Sequence, residues 1–149
     1  MTLRLEYAFT LRVDLAPPHQ FGKTAAGERR FIPITGRRSD GPKTKGKILS
    51  HGVVDVFAKY TIEAEAGTLV NVTSERYGRA SQETMWEVFE DDPSKASMKD
   101  GGAAWYTKTF PRFEVAPGPV DWLNSTCFPG DLRPPKLPKR VIIDVYEIS

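Results

Sequence analysis

Cysteine and histidine are scarce in this chain of 149 residues, which holds one cysteine, Cys127, and two histidines, His19 and His51. A single cysteine excludes a disulfide within the chain, so the fold has to be stabilised by its core. Zinc sites need several Cys or His ligands at short spacings, and these scattered residues do not provide them. The sequence therefore predicts no metal site.

An excess of charge of one sign is also absent, because 21 basic side chains are balanced by 19 acidic ones. Nucleic-acid-binding domains usually carry a strong basic surplus. Basic residues do cluster between Arg29 and Lys47. Because no Gly-rich phosphate loop or recognition helix accompanies them, we interpret them as a solvated rim and expect no nucleic-acid partner.

Long hydrophobic runs are missing as well, and no segment is long enough to span a bilayer. The first residues, MTLRLEYAFTLRVD, carry charges where a signal peptide has its apolar centre. We therefore expect a cytoplasmic protein with no membrane partner. No Walker loop, dinucleotide fingerprint or nucleophile elbow occurs, so no cofactor is expected.

Period-2 alternation of apolar residues is what the sequence does contain. It runs from Leu3 to Leu15, predicting a half-buried strand with Leu3, Leu5 and Tyr7 on the same face as Phe9 and Leu11. Further strands are predicted over Val54–Ala64, Thr68–Arg76 and Val141–Ile148, the first two joined by a turn at Ala66-Gly67.

Weaker signals complete an all-β pattern. Short strands are predicted over Arg29–Ile34 and Lys45–Ser50, and longer ones over Trp105–Val115 and Val120–Phe128 around a Pro117-Gly118-Pro119 turn. Ser81–Glu90 has an N-cap serine and an apolar stripe, which predicts one short inserted helix. Together these elements predict a single antiparallel β-barrel over residues 1–149.

The order and spacing of several segments resemble the DUF3237 family, also called UPF0311. The matching segments are Gly27–Gly36, Asp40–Pro42, Gly46–Leu49, Ala58–Ile62, Gly67–Val70, Tyr106–Pro111, Phe113-Glu114, Trp122–Asn124, Phe128 and Val145–Glu147. The resemblance implies a lipocalin-like or cyclase-like barrel with a central cavity. It also implies a link to natural-product pathways, since some fungal members are chalcone isomerase-like.

One segment departs from the family pattern. After Leu49 the family usually shows a Gly-Gly-x-Asp-Trp segment, whereas this chain reads Ser50-His51-Gly52-Val53-Val54-Asp55. His51 replaces a glycine there, and its ordinary pKa near 6.5 suits proton transfer. A surface loop histidine is the alternative interpretation.

The candidate site residues follow from side-chain chemistry. Four are candidate catalytic groups, for proton transfer or for stabilising a phenolate or enolate: His51, Asp121, Arg112 and Arg76. Five are candidate substrate-binding groups: Tyr60, Tyr106, Trp122, Phe113 and Asn124. Core packing or surface ion pairing explains most of them equally well. The pattern leaves open whether Arg112 or Phe113 points inward.

Three interpretations are compatible with these residues. The first is a cofactor-independent isomerase or cyclase that uses acid/base catalysis on a small aromatic or polyketide-like natural-product substrate. The alternative is a non-catalytic barrel that binds a small apolar ligand. A third interpretation is a structural subunit whose cavity is filled by side chains. The expected partners are a small aromatic or apolar molecule and a second copy of the chain in a homodimer.

Overall fold

The structure is a computed structural model that describes residues 2–17, 19–24, 27–49, 57–79, 106–133 and 140–149. His51, Trp105, the start of the strand predicted from Val54 and the helix predicted over Ser81–Glu90 lie outside the described residues. Those predictions stay predictions.

Ten strands and one short 3-10 helix make up the described part of the chain. The strands are β1 (Leu5–Leu15), β2 (His19–Thr24), β3 (Gly27–Phe31), β4 (Ile34–Asp40), β5 (Gly46–Ile48), β6 (Phe57–Ala64), β7 (Leu69–Arg79), β8 (Tyr106–Val115), β9 (Gly130–Leu132) and β10 (Arg140–Ile148). The 3-10 helix covers Asp121–Ser125. The hairpin turn between β6 and β7 uses Gly67 at a φ of 76°, as its position in the predicted turn requires.

Eight of these strands close into an antiparallel barrel in the order β1-β10-β9-β8-β7-β6-β5-β4. β2 and β3 form a separate two-stranded sheet. Closure pairs β1 with both β10 and β4, so the first and last strands of the chain are neighbours. The predicted antiparallel barrel is confirmed.

A β-bulge interrupts the alternation of β1. Tyr7 pairs with Tyr146 and Phe9 pairs with Val145, so Ala8 is an extra residue in this strand. Because side chains alternate, one extra residue reverses which face the preceding ones occupy. The prediction of one shared face from Leu3 to Leu15 is therefore wrong: Leu3 and Leu5 are 71% and 64% exposed.

The segment after β8 is also different from its prediction. Asp121–Ser125 forms a 3-10 helix instead of the strand predicted over Val120–Phe128. Leu123 and Phe128 are buried and Trp122 packs against the same core. The segment therefore closes one end of the barrel and does not continue the wall.

The two ends of the barrel differ in how they are built. The β4–β5 and β6–β7 turns and the 3-10 helix lie at one end, which we call the closed end. Phe9, Phe113, Phe128 and Trp122 pack their rings together there, with centroids 5.0–6.3 Å apart in the neighbouring pairs. The opposite end, where β1, β7 and β9 finish and β8 and β10 begin, is called the open end.

Candidate functional site

On β7 and β8, polar side chains replace apolar ones on the inner face of the barrel towards the open end. On β7 the buried positions Val70, Val72 and Ser74 alternate with more exposed ones, and half-buried Arg76 follows in the same phase. On β8 the buried positions start with Thr107 and Thr109 and end with Val115. Arg76 pairs with Thr109 in the ladder between these strands.

Tyr60 extends this inner face onto the neighbouring strand. It pairs with the inward-facing Val72 and is only 3% exposed. We call Tyr60, Ser74, Arg76, Thr107 and Thr109 the interior polar set. Its members lie on three consecutive strands of the barrel, β6, β7 and β8.

Buried hydroxyl groups without partners mark this inner face. Among the described residues, the hydroxyls of Tyr60, Thr109 and Ser39 are buried and form no hydrogen bond. An unpaired buried hydroxyl costs about 1–3 kcal/mol, and native proteins keep few of them. Burial also raises the pKa of Tyr60. Its phenol therefore stays protonated at neutral pH and is able to donate a hydrogen bond.

Arg76 is the one member of the interior polar set whose side chain is ionised at neutral pH. Near the open end, the acidic side chains of β1 and β10 face outward, where Asp14 binds Arg140 and Asp144 binds Arg133. Glu147 has the inward phase of β10, but it lies at the closed end and is paired with Lys43. A guanidinium at this position is able to bind an anionic group through charge-assisted hydrogen bonds.

The backbone of β4 is strained at Arg37. Arg37 has a φ of 126°, in the region that favours glycine, and follows Gly36 at 128°. The Arg37 Nη1 lies 3.4 Å from the Asp14 Oδ1. The Arg37 Nε is buried and has no hydrogen-bond partner among the described residues. Strained backbone of this kind persists where the surrounding structure enforces it and occurs often at functional sites.

The structure does not bring the four predicted catalytic residues together. Arg112 is an outward-facing, exposed residue of β8, and Asp121 is exposed at the closed end, where its Oδ2 accepts the Gly118 N–H at 3.2 Å. Arg76 alone of the described candidates lies at an inward-facing position of the barrel wall. Any joint role of these residues with His51 stays a prediction.

The five predicted binding residues are distributed over three environments. Tyr60 faces the interior, and Phe113 and Trp122 belong to the ring cluster at the closed end. Tyr106 faces outward and is 43% exposed. Asn124 uses both ends of its amide on the backbone of Val115, at 2.9 Å each. The alternation of β8 thus places Phe113 inward and Arg112 outward.

Sequence reasoning missed Thr107, Thr109 and Ser39. The signal for two of them was available, because Thr107 and Thr109 share the period-2 phase of Phe113. Ser39 lies in β4, between the two strands predicted over Arg29–Ile34 and Lys45–Ser50, and a connection assigns no inward or outward face to its side chains.

A cleft of about 880 Å³ lies at the closed end, beside the β4–β5 and β6–β7 turns. Both basic and acidic side chains line it, including Arg38, Lys47 and Glu63, and none of the predicted site residues does so. Within the described ranges, no three His, Cys, Asp or Glu side chains group as metal ligands. No helix in that part of the chain is long and apolar enough to cross a membrane.

Known proteins share both the sequence pattern and the barrel. The family model described as "Protein of unknown function (DUF3237)" matches residues 3–148. A β-barrel-like protein from Acinetobacter baumannii is 32% identical, with a TM-score of 0.76 over 100% of this chain and 98% of that one. A conserved protein of unknown function from Rhodopseudomonas palustris is 26% identical, with a TM-score of 0.81 over 100% and 99%.

A more distant structure shares the fold alone. It is described as an enzyme from Penicillium herquei, is 14% identical, and has a TM-score of 0.63 over 100% of this chain and 96% of that one. No curated protein matches the chain.

Proposed function

This chain belongs to the DUF3237 family, and we propose that its barrel binds a small organic molecule with an anionic head against the interior polar set. The observation that carries the proposal is the pair of buried, unpartnered hydroxyls of Tyr60 and Thr109 on the inner wall. A ligand with separate oxygens that accept from the two hydroxyls would remove the cost of leaving them unpaired.

The position of Arg76 supports the anionic character of that head. Arg76 pairs in register with Thr109, so its guanidinium and the Thr109 hydroxyl arise from neighbouring points of the same wall. A planar guanidinium matches a carboxylate or phenolate oxygen in shape and charge. The ring cluster at the closed end limits how deep the molecule sits, so both its head and its body lie in the open half of the interior.

Binding is tested with matched aromatic acids and amides. Cinnamate titrated calorimetrically is expected to bind more tightly than cinnamamide, which has the same shape without the charge. Arg76→Ala is expected to weaken cinnamate binding about tenfold or more, because hydrogen bonds to charged groups contribute about 1.5–3 kcal/mol. Arg112→Ala is the matched control on the outer face and should leave affinity unchanged. Equal losses in both variants, or preference for the amide, would contradict the proposal.

The second candidate is a cofactor-independent isomerase or cyclase. The neutral phenol of Tyr60 supports it, because a buried donor of this kind stabilises an enolate or phenolate that forms during proton transfer. Arg76 would add positive charge at the same wall. The predicted proton-transfer group is His51.

Catalysis is tested by the ring closure of 2′-hydroxychalcone, followed by the loss of its absorbance. Tyr60→Phe and His51→Ala are expected to lower turnover by about a hundredfold, a usual size for the loss of one acid/base or oxyanion group. Binding of the chalcone without turnover in the unmodified protein would remove the enzyme hypothesis and leave the binding barrel.

A further inference from the structure

The beginning of β1 extends beyond the strand that closes the barrel beside it. β10 pairs with β1 along its length from Leu5 to Asp14, whereas β4 pairs with it only from Thr10 to Leu15. The last backbone hydrogen bond on the β4 side, at 3.3 Å, runs from the Lys43 N–H to the Ala8 carbonyl. Within the described chain, the edge from Leu3 to Tyr7 therefore has no neighbouring strand.

The direction of the backbone groups on this edge follows from one hydrogen-bonded pair. Arg4 and Ser149 exchange both of their N–H···O bonds at 3.0 Å, so the backbone groups of Arg4 point to β10. In an antiparallel ladder, bonding directions alternate from residue to residue. The N–H and C=O groups of Leu3, Leu5 and Tyr7 therefore point away from β10, towards the open edge.

The same residues present apolar side chains to solvent. The bulge at Ala8 places Leu5 and Tyr7 on the outer face, and Leu3, Leu5 and Tyr7 are 71%, 64% and 42% exposed. Leu5 lies beside Ile148 and Tyr7 beside Tyr146 across β10, which widens the apolar surface. An unpaired edge with exposed apolar side chains is a feature that native proteins normally cover.

We propose that a second copy of this chain covers the edge, with the two Leu3–Tyr7 segments paired antiparallel about a twofold axis at Leu5. Leu5 then lies opposite Leu5 of the other copy, and Leu3 lies opposite Tyr7. All three residues direct their backbone groups at the partner, so the ladder is complete on both sides. The apolar row Ile148–Leu5 continues into the same row of the second copy.

Charge selects this register among those that the backbone permits. With Leu5 at the axis, Arg4 faces Glu6 of the other copy, and the reciprocal pair forms by symmetry. A shift of the axis by one residue in either direction would place Arg4 opposite Arg4, or Glu6 opposite Glu6. Like charges directly opposite each other destabilise an antiparallel pair, whereas opposite charges stabilise it.

The Glu6 carboxylate is able to pair with Arg4 of the other copy in addition to Lys43 of its own chain. Its carboxylate already lies 3.2 Å from the Lys43 Nζ within the chain, but its side chain is 55% exposed. Lys43 is shared, because it also binds Glu147. Arg4 of the other copy would therefore add a positive charge to a site that holds two carboxylates and one ammonium group.

The size of the contact predicts how strong the association is. One short ladder with a single row of apolar side chains buries less than the roughly 1,200 Å² typical of stable complexes. The dimer is therefore expected to be concentration-dependent and to dissociate on dilution.

The test measures the oligomeric state by sedimentation velocity over a wide concentration range. The unmodified protein should shift from monomer to dimer as concentration rises. Arg4→Glu and Glu6→Arg should each abolish the shift, because each places like charges opposite each other. An equimolar mixture of the two variants should dimerise again, since positions 4 and 6 then carry opposite charges across the interface.

Leu5→Pro provides a second variant that spares the barrel. The Leu5 N–H points away from β10, so proline removes a bond to the partner without removing one within the chain. Hydrogen exchange at the Leu3 and Tyr7 amides should slow as concentration rises in the unmodified protein only. A protein that stays monomeric, a dimer that survives Leu5→Pro, or charge variants that fail to restore dimerisation when mixed would each overturn the proposal.

Discussion

At the scale of single residues, Asp144 shows how opposing electrostatic effects combine. Its side chain lies on the outer face of β10 and is 12% exposed. Burial raises its pKa, but hydrogen bonds from Arg133 and the Thr10 hydroxyl outweigh that effect and the pKa is lowered overall. Arg133 donates to both carboxylate oxygens, at 2.5 and 2.8 Å, while Thr10 donates at 2.6 Å. The charged form of Asp144 is therefore the one that stabilises the fold.

Asp144→Asn is expected to lower the free energy of unfolding by about 1–3 kcal/mol at neutral pH, since it removes a charged acceptor of several hydrogen bonds. Because the pKa is lower in the folded state, this stabilisation is complete above the unfolded pKa of about 3.9. It is lost as pH falls through the folded pKa. Urea unfolding between pH 7 and pH 3 should show that the difference in unfolding free energy between the unmodified protein and Asp144→Asn shrinks below about pH 4.

The exposed Asp131 provides the control for Asp144. Its carboxylate accepts from Lys108 at 2.6 Å, but its side chain is 48% exposed. Asp131→Asn should change stability by less than about 1 kcal/mol, as is usual for surface ion pairs. A stability difference for Asp144→Asn that grows at low pH would contradict the role assigned to its charge.

At the scale of elements, Asn124 connects the 3-10 helix to the last residue of β8 by hydrogen bonds. The Asn124 amide accepts from the Val115 N–H and donates to the Val115 carbonyl, both at 2.9 Å. It therefore takes the place of a neighbouring strand at the last residue of β8. Leu123, on the same helix, is buried in the core beside this connection.

Asn124→Ala is expected to lower the free energy of unfolding by about 1–3 kcal/mol, because two backbone groups lose their partner. Cinnamate affinity should stay unchanged, since Asn124 lies at the closed end. Ser125→Ala is the control on the exposed side of the same helix, where its hydroxyl makes one bond of 3.3 Å. Unfolding in urea and calorimetric titration measure both effects. A loss of cinnamate affinity with an unchanged free energy of unfolding would show that Asn124 belongs to the binding site.

At the scale of the whole molecule, the interior of the barrel is packed differently at its two ends. The ring cluster of Phe9, Phe113, Phe128 and Trp122 fills the closed end, and the interior polar set lies towards the other. Closure of the sheet pairs each of the eight strands with two neighbours. A defect in the ring cluster is therefore expected to weaken the barrel as one unit.

Phe113→Ala should lower the free energy of unfolding by about 3–5 kcal/mol, the usual cost of removing a buried aromatic ring. Arg112→Ala, one residue away on the outer face, should change it by less than about 0.5 kcal/mol. Circular dichroism during urea unfolding measures both variants, and a single transition is expected in each. Similar costs for the two neighbours would contradict the inward orientation of Phe113.

Several features of the fold are predictable because they depend on local pattern. Alternation identifies β1, β6, β7 and β10, and the Ala66-Gly67 turn joins two of them. The bulge at Ala8 is not predictable, because alternation continues through it in the sequence and only pairing with Tyr146 and Val145 reveals the extra residue. The 3-10 helix escapes prediction because Asp121–Ser125 is too short to show a helical period in the sequence.

The sequence by itself determined the all-β class, the antiparallel arrangement and the family, since these depend on residue spacing along the chain. Only the tertiary structure decided which face each side chain occupies, because strand register and bulges are set by pairing between distant segments. That pairing placed Phe113 inside, Arg112 outside and Asp121 at the closed end. It also left the hydroxyls of Tyr60 and Thr109 buried in the interior, and it exposed Leu3, Leu5 and Tyr7 along an open edge.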